Sequence, residues 1–482
     1  MEIDELLKQR LDKLKFLKEK GLDPYRQKFS KLNCAQELRE NFVEGKEVSI
    51  AGRLVAKRLH GKAGFGNIQD QSGKIQIYIK KDNLSEDVFQ VATQSDIGDI
   101  VGIRGKLFKT HTGESTVDVR EFIVLAKSLL PLPEKWHGLK DVETRFRERY
   151  VDLISNSEVK EIFTKRTKII SAIRKFLDDL GYLEVETPMM HVVPGGAAGR
   201  PFKTHHNEYD MDLFLRIAPE LYLKKLLVGG FEKVYEINRS FRNEGVSTRH
   251  NPEFTMLEVY TAFADCDMVM DLTEKLIRDA AKSILGTEQI TYQDKQIDLS
   301  RFEKISFAQA MKDNYGINPE DELQSWVDKL TSKGVRIESK NITRSFVANL
   351  IADLLVPSAD HPVFVTDIFT VLCPLAKTQT DNPHLSERFE LFIGGMEVAN
   401  AYSELNDPIE QRARFELELE DLKALGQKEK SMDDDFVRAL EYGMPPAGGL
   451  GIGIDRLTML LTNQASIREV ILFPLLRPEN KE

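Results

Sequence analysis

Between residues 127 and 158 the hydrophobic period of this chain shifts from two to helical, and that shift constrains its fold more than any other feature. Across residues 47–127, short runs alternate apolar and polar side chains with a period of two. Residues 48–55, 74–79, 100–107 and 117–124 each read as strands, with Asp70-Gln71-Ser72-Gly73 as a turn between two of them. From near Glu158 the period becomes helical. Val159, Ile162, Phe163, Ile169, Ile170, Ile173, Phe176, Leu177 and Leu180 keep one stripe until Gly181 stops it. Between the two patterns, Leu130-Pro131-Leu132-Pro133 stiffens the chain and Gly138 releases it, as in a linker. With that linker between them, the two patterns are expected to belong to separate domains.

Several short strands with glycine-bearing turns point to a small closed barrel over 46–128, with an OB-fold the best candidate. Barrels of this size bind oligonucleotides on one strand face. Phe65, between Gly64 and Gly66 in an expected loop, offers a stacking ring, and Gln76 and Glu114 offer base-edge hydrogen bonds. Taken singly, each of the three reads as structural. Ahead of the barrel, 1–45 forms a helical extension in which Ile3, Leu6, Leu7, Leu11, Leu14 and Leu17 recur at helical spacing up to Gly21. Its lysines and Arg10 fit either a solvated outer face or a face that touches nucleic acid.

A linker is expected over 129–155 and a second domain over 156–482. Residues 182–188 read as a strand ended by Pro188. Residues 232–237, 253–260, 389–393 and 394–402 also alternate, few of them separated by the regular helix of a parallel unit. The fold class is therefore α+β, with a mostly antiparallel sheet flanked by helices. The mixed helical and polar stretch 266–358 is expected as an insertion.

Composition excludes several alternatives. The 482 residues, 41% of them hydrophobic, suffice for two or three cores, and a net charge of -10 argues against a general nucleic-acid coat protein. Cys34, Cys266 and Cys373 are widely separated, without zinc-ligand spacing, and read as plain thiols in a reducing compartment. No apolar run approaches the ~20 residues that span a bilayer. The charged start Met1-Glu2-Ile3-Asp4-Glu5 is unlike a secretory signal, so no membrane partner and a cytoplasmic location are expected.

Two distant runs carry the chemistry. Phe241-Arg242-Asn243-Glu244-Gly245 is followed closely by Arg249-His250-Asn251-Pro252-Glu253-Phe254, and Gly448-Gly449-Leu450-Gly451-Ile452-Gly453-Ile454-Asp455-Arg456 lies near the C-terminus. They supply two guanidinium groups, an aromatic face and a glycine-lined approach, which suits a nucleoside triphosphate. Neither is a Walker loop or a dinucleotide fingerprint. Acidic residues recur on the strand-like runs: Glu258 two before Tyr260, Glu390, and Glu397 with Asn400 and Glu404. Alone, each reads as half of a surface ion pair. Together they suit a divalent cation such as Mg2+, or the ammonium of an amine substrate.

These runs resemble the second and third motifs of class II aminoacyl-tRNA synthetases, and 177–188 resembles the first, dimer-forming motif. The resemblance spans nearly the whole chain. It falls in the OB-fold subgroup serving lysine, aspartate and asparagine, nearest to the lysine-specific members. It implies a homodimer that joins lysine to ATP, releases pyrophosphate and transfers lysine to the 3' end of tRNA(Lys). It also implies roles. Arg242 holds the substrate carboxylate and the α-phosphate; Glu244 reads adenine; His250 approaches the outer phosphates; Phe254 and Arg456 stack on the two adenine faces. Glu390 and Glu397 hold Mg2+. Gly196 and Glu220 receive the α-ammonium, Asn400 lies near the carboxylate, and Glu258, Tyr260, Tyr402 and Glu404 line the side-chain pocket. Phe65, Gln76 and Glu114 match positions that contact the central anticodon base. An acidic and phenolic pocket suits lysine over aspartate or asparagine. An aspartate or asparagine enzyme, and an RNA-binding barrel with an inactive synthetase module, stand as the alternatives.

Overall fold

The computed structural model describes residues 3–133, 139, 141–197, 199–338, 341–425 and 432–479. Residues 134–138 of the expected linker and Ala198 of the loop 194–200 lie outside the described residues. The chain forms two compact units, Met1–Lys140 and Asp141–Glu482.

In the first unit, β1 (Glu47–His60), β2 (Ala63–Gln69), β3 (Lys74–Lys80), β4 (Ile100–Lys109) and β5 (Ser115–Ala126) close into a barrel in the order β1-β2-β3-β5-β4. Alternation decides which side chains fill it. Ile75, Ile77 and Ile79 of β3 point inward with Val101, Ile103, Val117 and Val119, all buried, while Gln76 and Tyr78 face outward. Each inward side chain contributes about 1.5–3 kcal/mol through burial. β2 was not among the expected strands, and Phe65 lies in it rather than in a loop. The glycines that suggested a loop meet a steric demand instead. A Cβ at Gly64 would stand 2.6 Å from Leu59 Cα, and one at Gly66 2.9 Å from the Ala56 carbonyl.

The N-terminal helix Ile3–Glu19 docks on this barrel. Leu14 and Leu17 are buried, and Arg10 Nη1 donates to the Ser128 and Leu130 carbonyls at 2.8 and 2.9 Å. Gly21, at φ +74°, ends it as expected.

The second unit is built on an eight-stranded sheet. In spatial order its strands are Glu303–Ser306, Val363–Thr366, Arg388–Ile393, Met396–Ser403, Ala447–Gly453, Glu253–Ala262, Lys233–Phe241 and Leu183–Glu184. The pairs at the two ends are parallel, and every pairing between them is antiparallel. One face buries Leu257, Val259, Leu391 and Leu450 against Ile169, Ile173 and Leu177 of the helix Ser157–Asp179 and Val269, Leu276 and Ile277 of the helix Cys266–Leu285. The opposite face carries the polar residues.

Four boundaries differ from expectation. Only Leu183–Glu184 of 182–188 is strand; after the Val185 amide reaches the Tyr235 carbonyl at 2.9 Å, Pro188 has no N–H to continue a ladder. Gly394 and Gly395 are not strand but the hairpin turn, at φ +60° and +78°. Residues 141–155 are not linker but two helices, Val142–Arg147 and Arg149–Ser155. They are anchored by the buried Arg149, which pairs with Asp152 at 2.6 Å and donates to the Arg468 carbonyl at 2.7 Å. The stretch 266–358 is not one insertion: Cys266–Leu285 belongs to the main core and Glu303–Ser306 to the main sheet. The helices Phe307–Tyr315, Leu323–Ser332 and Arg344–Ala352 gather around Trp326 in a separate apolar cluster.

Candidate active site

The polar face of the sheet collects the expected residues in rows. Register pairs Glu390 with Asn400, Asn400 with Gly451, Gly451 with Glu258, and Glu258 with Glu236. One step along, Arg388, Tyr402, Gly449 and Tyr260 form a second row on the same face. Phe254 lies on that face too, at even spacing from Glu258. Glu397 joins through a bulge. Three residues before Asn400, it should face away, but the register skips Val398: Leu391 pairs with Ala399 and Phe392 with Glu397. The extra residue turns Glu397 to the side of Glu390 and Asn400.

The glycines of the C-terminal run keep the middle of this face open. Gly449, Gly451 and Gly453 sit between the carboxylate-bearing strands. A Cβ at Gly449 would collide with Glu404 Oε1 and stand 2.7 Å from Tyr260 Cε1. Gly448 points the other way, where a Cβ would meet the Asp265 carbonyl at 2.9 Å.

At one end, two arginines are held apart. The Arg242 amide donates to the Pro252 carbonyl at 2.8 Å, and its guanidinium lies 5.2 Å from the centre of the Phe254 ring. Burial lowers its pKa, and its Nε is buried without a hydrogen-bond partner. Arg456 Nη1 donates to the Glu397 carbonyl and Oε2 at 2.7 and 3.2 Å, and Nη2 meets His250 Nε2 at 3.1 Å. A guanidinium only donates, so Nε2 accepts and the imidazole proton sits on Nδ1, 2.8 Å from Ser247 Oγ. Burial, then the Arg456 charge, push His250 below its usual pKa and keep that ring neutral. Glu244 is exposed, and its Oε1 accepts from the Arg200 amide at 3.3 Å.

Glu390 Oε1 pairs with Arg388 at 2.7 Å. Burial raises the Glu390 carboxyl; Arg388 opposes this, and the charge of Glu397 adds to it. Two carboxylates that repel on an open sheet face suit a hard cation completed by phosphate oxygens and water. No cluster of three or more metal-ligating side chains occurs among the described residues.

At the other end is a buried acidic pocket. Glu220 opens the helix Glu220–Val228, and a Cβ on Gly196, at φ +86°, would lie 3.1 Å from its Cβ. Tyr402 donates to Glu220 Oε1 at 2.5 Å, and Tyr260 to Glu258 Oε2 at 3.2 Å. Burial, then the charge of Glu220, raise Glu258, Tyr260 and Tyr402 well above their ordinary values. Burial likewise raises Glu404, whose two oxygens receive no hydrogen bond of good geometry. Sequence reasoning missed Lys224, fully buried between Glu220, at 2.8 Å, and Glu404. Its spacing of four from Glu220 is the only signal, and on a helix that spacing reads as a surface pair.

Sequence reasoning also missed the brace beneath Arg456. Arg166 Nη1 meets Asp455 Oδ1 at 2.6 Å, and Asp455 Oδ2 accepts from the Thr255 amide at 2.7 Å. One carboxylate thus ties the long helix to both motif-bearing segments.

In the barrel, Gln76 Nε2 donates to Glu114 Oε2 at 3.2 Å, and Thr116 Oγ1 donates to Gln76 Oε1 at 2.8 Å. Phe65 stands 4.9 Å from Tyr78, and Tyr78 6.1 Å from Phe108, ring centre to ring centre. The expected trio therefore shares one outer face with two further aromatics.

Comparison with known proteins agrees with both units. Residues 141–477 match the family model of class II tRNA synthetases (D, K and N), and residues 48–125 match that of the OB-fold nucleic acid binding domain. The chain is 55% identical to a lysine–tRNA ligase of Carboxydothermus hydrogenoformans over 99% of both chains. It is 52% identical to one of Pelotomaculum thermopropionicum, over 99% of this chain and 96% of that one. It is 51% identical to one of Moorella thermoacetica over 99% of both. With an OB-fold barrel, an antiparallel sheet bearing both arginine motifs and full-length identity of this degree, the chain belongs to the class II tRNA synthetases, within the group of lysine–tRNA ligases.

Proposed function

We propose that the acidic pocket selects lysine, that ATP lies between Arg242 and Arg456, and that the barrel face reads the anticodon of tRNA(Lys). The observation that carries this reading is the pocket itself: Glu220, Glu258 and Glu404 are buried together with the hydroxyls of Tyr260 and Tyr402. Carboxylates so placed need ammonium partners, and lysine brings two. Aspartate would need a free cation, but Lys224 is already held between two carboxylates. Asparagine would leave Glu258 buried without a cation and Glu404 with Lys224 alone. ATP–pyrophosphate exchange with each standard amino acid tests the reading. Lysine alone should support it; exchange driven by aspartate or asparagine overturns it.

The roles follow from position. Glu220 beside Gly196 takes the α-ammonium, and Asn400 in the next row lies toward the carboxylate. Glu258, Tyr260, Tyr402 and Glu404 enclose the side-chain ammonium. The lysine carboxylate attacks the α-phosphorus and pyrophosphate leaves. No proton need be removed from that nucleophile, so orientation and charge stabilisation do the work. Arg242, with its free Nε, neutralises charge on the α-phosphate. Phe254 and Arg456 flank adenine, Glu244 accepts from its amino group, and His250 reaches the outer phosphates while propping Arg456. Glu390 and Glu397 would hold Mg2+, which would supply positive charge to neutralise the phosphates.

Gly449→Ala should raise the lysine KM at least about tenfold while leaving the ATP KM within about twofold, because the added methyl enters the space beside Glu404 and Tyr260. Exchange kinetics for both substrates check this.

In the barrel, Phe65 stacks on an anticodon base and Gln76 and Glu114 hydrogen-bond its edge. A stacked base contributes about 1–3 kcal/mol, so Phe65→Ala should raise the tRNA KM about 5–150-fold. Amino-acid activation should be unchanged, and aminoacylation measured beside exchange separates the two.

The exposed Leu180 and Leu183 in the first motif, with Met189, Met190 and Val192 just after it in the chain, support a homodimer. Light scattering should give twice the 55.0 kDa chain mass. No helix among the described residues is long and apolar enough to cross a membrane, and a cytoplasmic location fits the tRNA substrate.

A further inference from the structure

We infer that Lys224 is a positioning residue for the amino acid: its ammonium, wedged between Glu220 and Glu404, fixes the spacing of the two carboxylates and offsets their repulsion, so that the pocket meets the substrate as a pre-set acidic pair. The inference rests on the assignment of this pocket to lysine.

The geometry is specific. Lys224 projects from the helix that Glu220 opens and reaches Glu220 Oε1 at 2.8 Å on one side and Glu404 Oε2 on the other. All three side chains are closed off from solvent. The Nζ lies 5.5 Å from the centre of the Tyr402 ring and 5.9 Å from that of Phe436, so aromatic faces replace water around it. Such burial normally discharges a lysine. Here the two carboxylates outweigh that effect and raise its pKa. The arrangement links the two ends of the amino-acid site, because Glu220 serves the α-ammonium and Glu404 the side-chain ammonium.

The need for the charge follows from the groups around it. Glu220 comes from the helix of Lys224, Glu258 and Tyr260 from the neighbouring strand, and Tyr402 and Glu404 from the next segment. Farther out, Lys377 acts on Glu404, Arg388 on Tyr402, and Arg216 and Glu236 on Glu258. Three carboxylates in one dry pocket repel and favour proton uptake. Among the described residues, Lys224 is the one cation in direct contact with two of them. Lys224 opposes the burial that raises Glu404, so without it Glu404 titrates at higher pH. A carboxylate with a raised pKa loses its charge as pH falls, so lysine recognition should fail earlier on the acid side.

The test is the pH dependence of lysine-dependent ATP–pyrophosphate exchange in the full chain, for wild type, Lys224→Met and Lys224→Arg. Lys224→Met should raise the lysine KM about 10–100-fold with the ATP KM within about twofold. It should also move the acid limb of kcat/KM for lysine upward by about one pH unit or more. Lys224→Arg, which keeps the charge, should return the limb toward wild type. If Lys224→Met does not fold, Lys224→Gln carries the same comparison. An unmoved acid limb, or equal losses for lysine and ATP, overturns the inference and leaves Lys224 a packing residue. Absence of lysine-dependent exchange in wild type overturns the pocket assignment instead, so the two failures are distinguishable.

Discussion

Arg242→Ala is expected to lose lysine-dependent ATP–pyrophosphate exchange by about two to three orders of magnitude, mainly in kcat, the size seen when one preorganised transition-state donor is removed. The side chain is fixed before ligand arrives. Its own amide is tied to Pro252, its guanidinium lies against Phe254, and Gly199 leaves room for its methylenes, since a Cβ there would stand 3.2 Å from Arg242 Cδ. Its buried Nε has no partner among the described residues, so it is a donor held ready for an anion. In the proposed reaction, charge accumulates on the α-phosphate as the lysine carboxylate attacks, and the guanidinium would gain most at that moment. The ATP KM should change far less, because in the proposed site Glu244, Phe254 and Arg456 would still hold the nucleotide. Arg242→Lys should rescue little, since an ammonium lacks the planar fork. Stopped-turnover and exchange kinetics separate the two parameters. Near-normal kcat in Arg242→Ala would remove the residue from the reaction.

What could be read from the chain before the fold was known follows a physical boundary. Periodicity is local, so the barrel core and the long helix were legible: Ile75, Ile77 and Ile79 alternate, and Ile162, Ile169, Ile173 and Leu177 keep a stripe. The strand β2 was not, because glycines required by neighbouring strands look like loop glycines when those neighbours are unknown. The residue types of the site were legible through its motifs. Their partners were not, since pairing across strands depends on register. Glu397 shows this most clearly: counting by two puts it on the wrong face, and only the bulge at Val398 turns it toward Glu390. Lys224 shows it differently. A Glu and a Lys four apart on a helix are ordinary, and burial against Glu404, far along the chain, makes this pair unlike a surface one.

Glu404→Gln is expected to raise the lysine KM about 100-fold or more while leaving the ATP KM within about twofold, since truncating one partner of a buried charged contact costs about 2–5 kcal/mol. The change keeps the shape of the side chain and removes only its charge, so the packing around Tyr260 and the open edge at Gly449 should persist. Two carboxylate oxygens that receive no well-formed hydrogen bond become a carbonyl oxygen and a donor amide. The amide would face the incoming ammonium with like polarity. The ATP end of the sheet face is built from other strands and loops, with Arg242 tied to Pro252 and Arg456 to Glu397, and neither depends on Glu404. Selectivity should fall together with affinity. Uncharged side chains of similar length, which the proposed pocket disfavours because they bring no cation to its carboxylates, should gain relative to lysine in Glu404→Gln. Exchange measured with lysine, with norleucine and with varied ATP tests all three expectations. Equal losses for lysine and ATP, or an unchanged ratio of lysine to norleucine, would mean that Glu404 shapes the fold without reading the substrate.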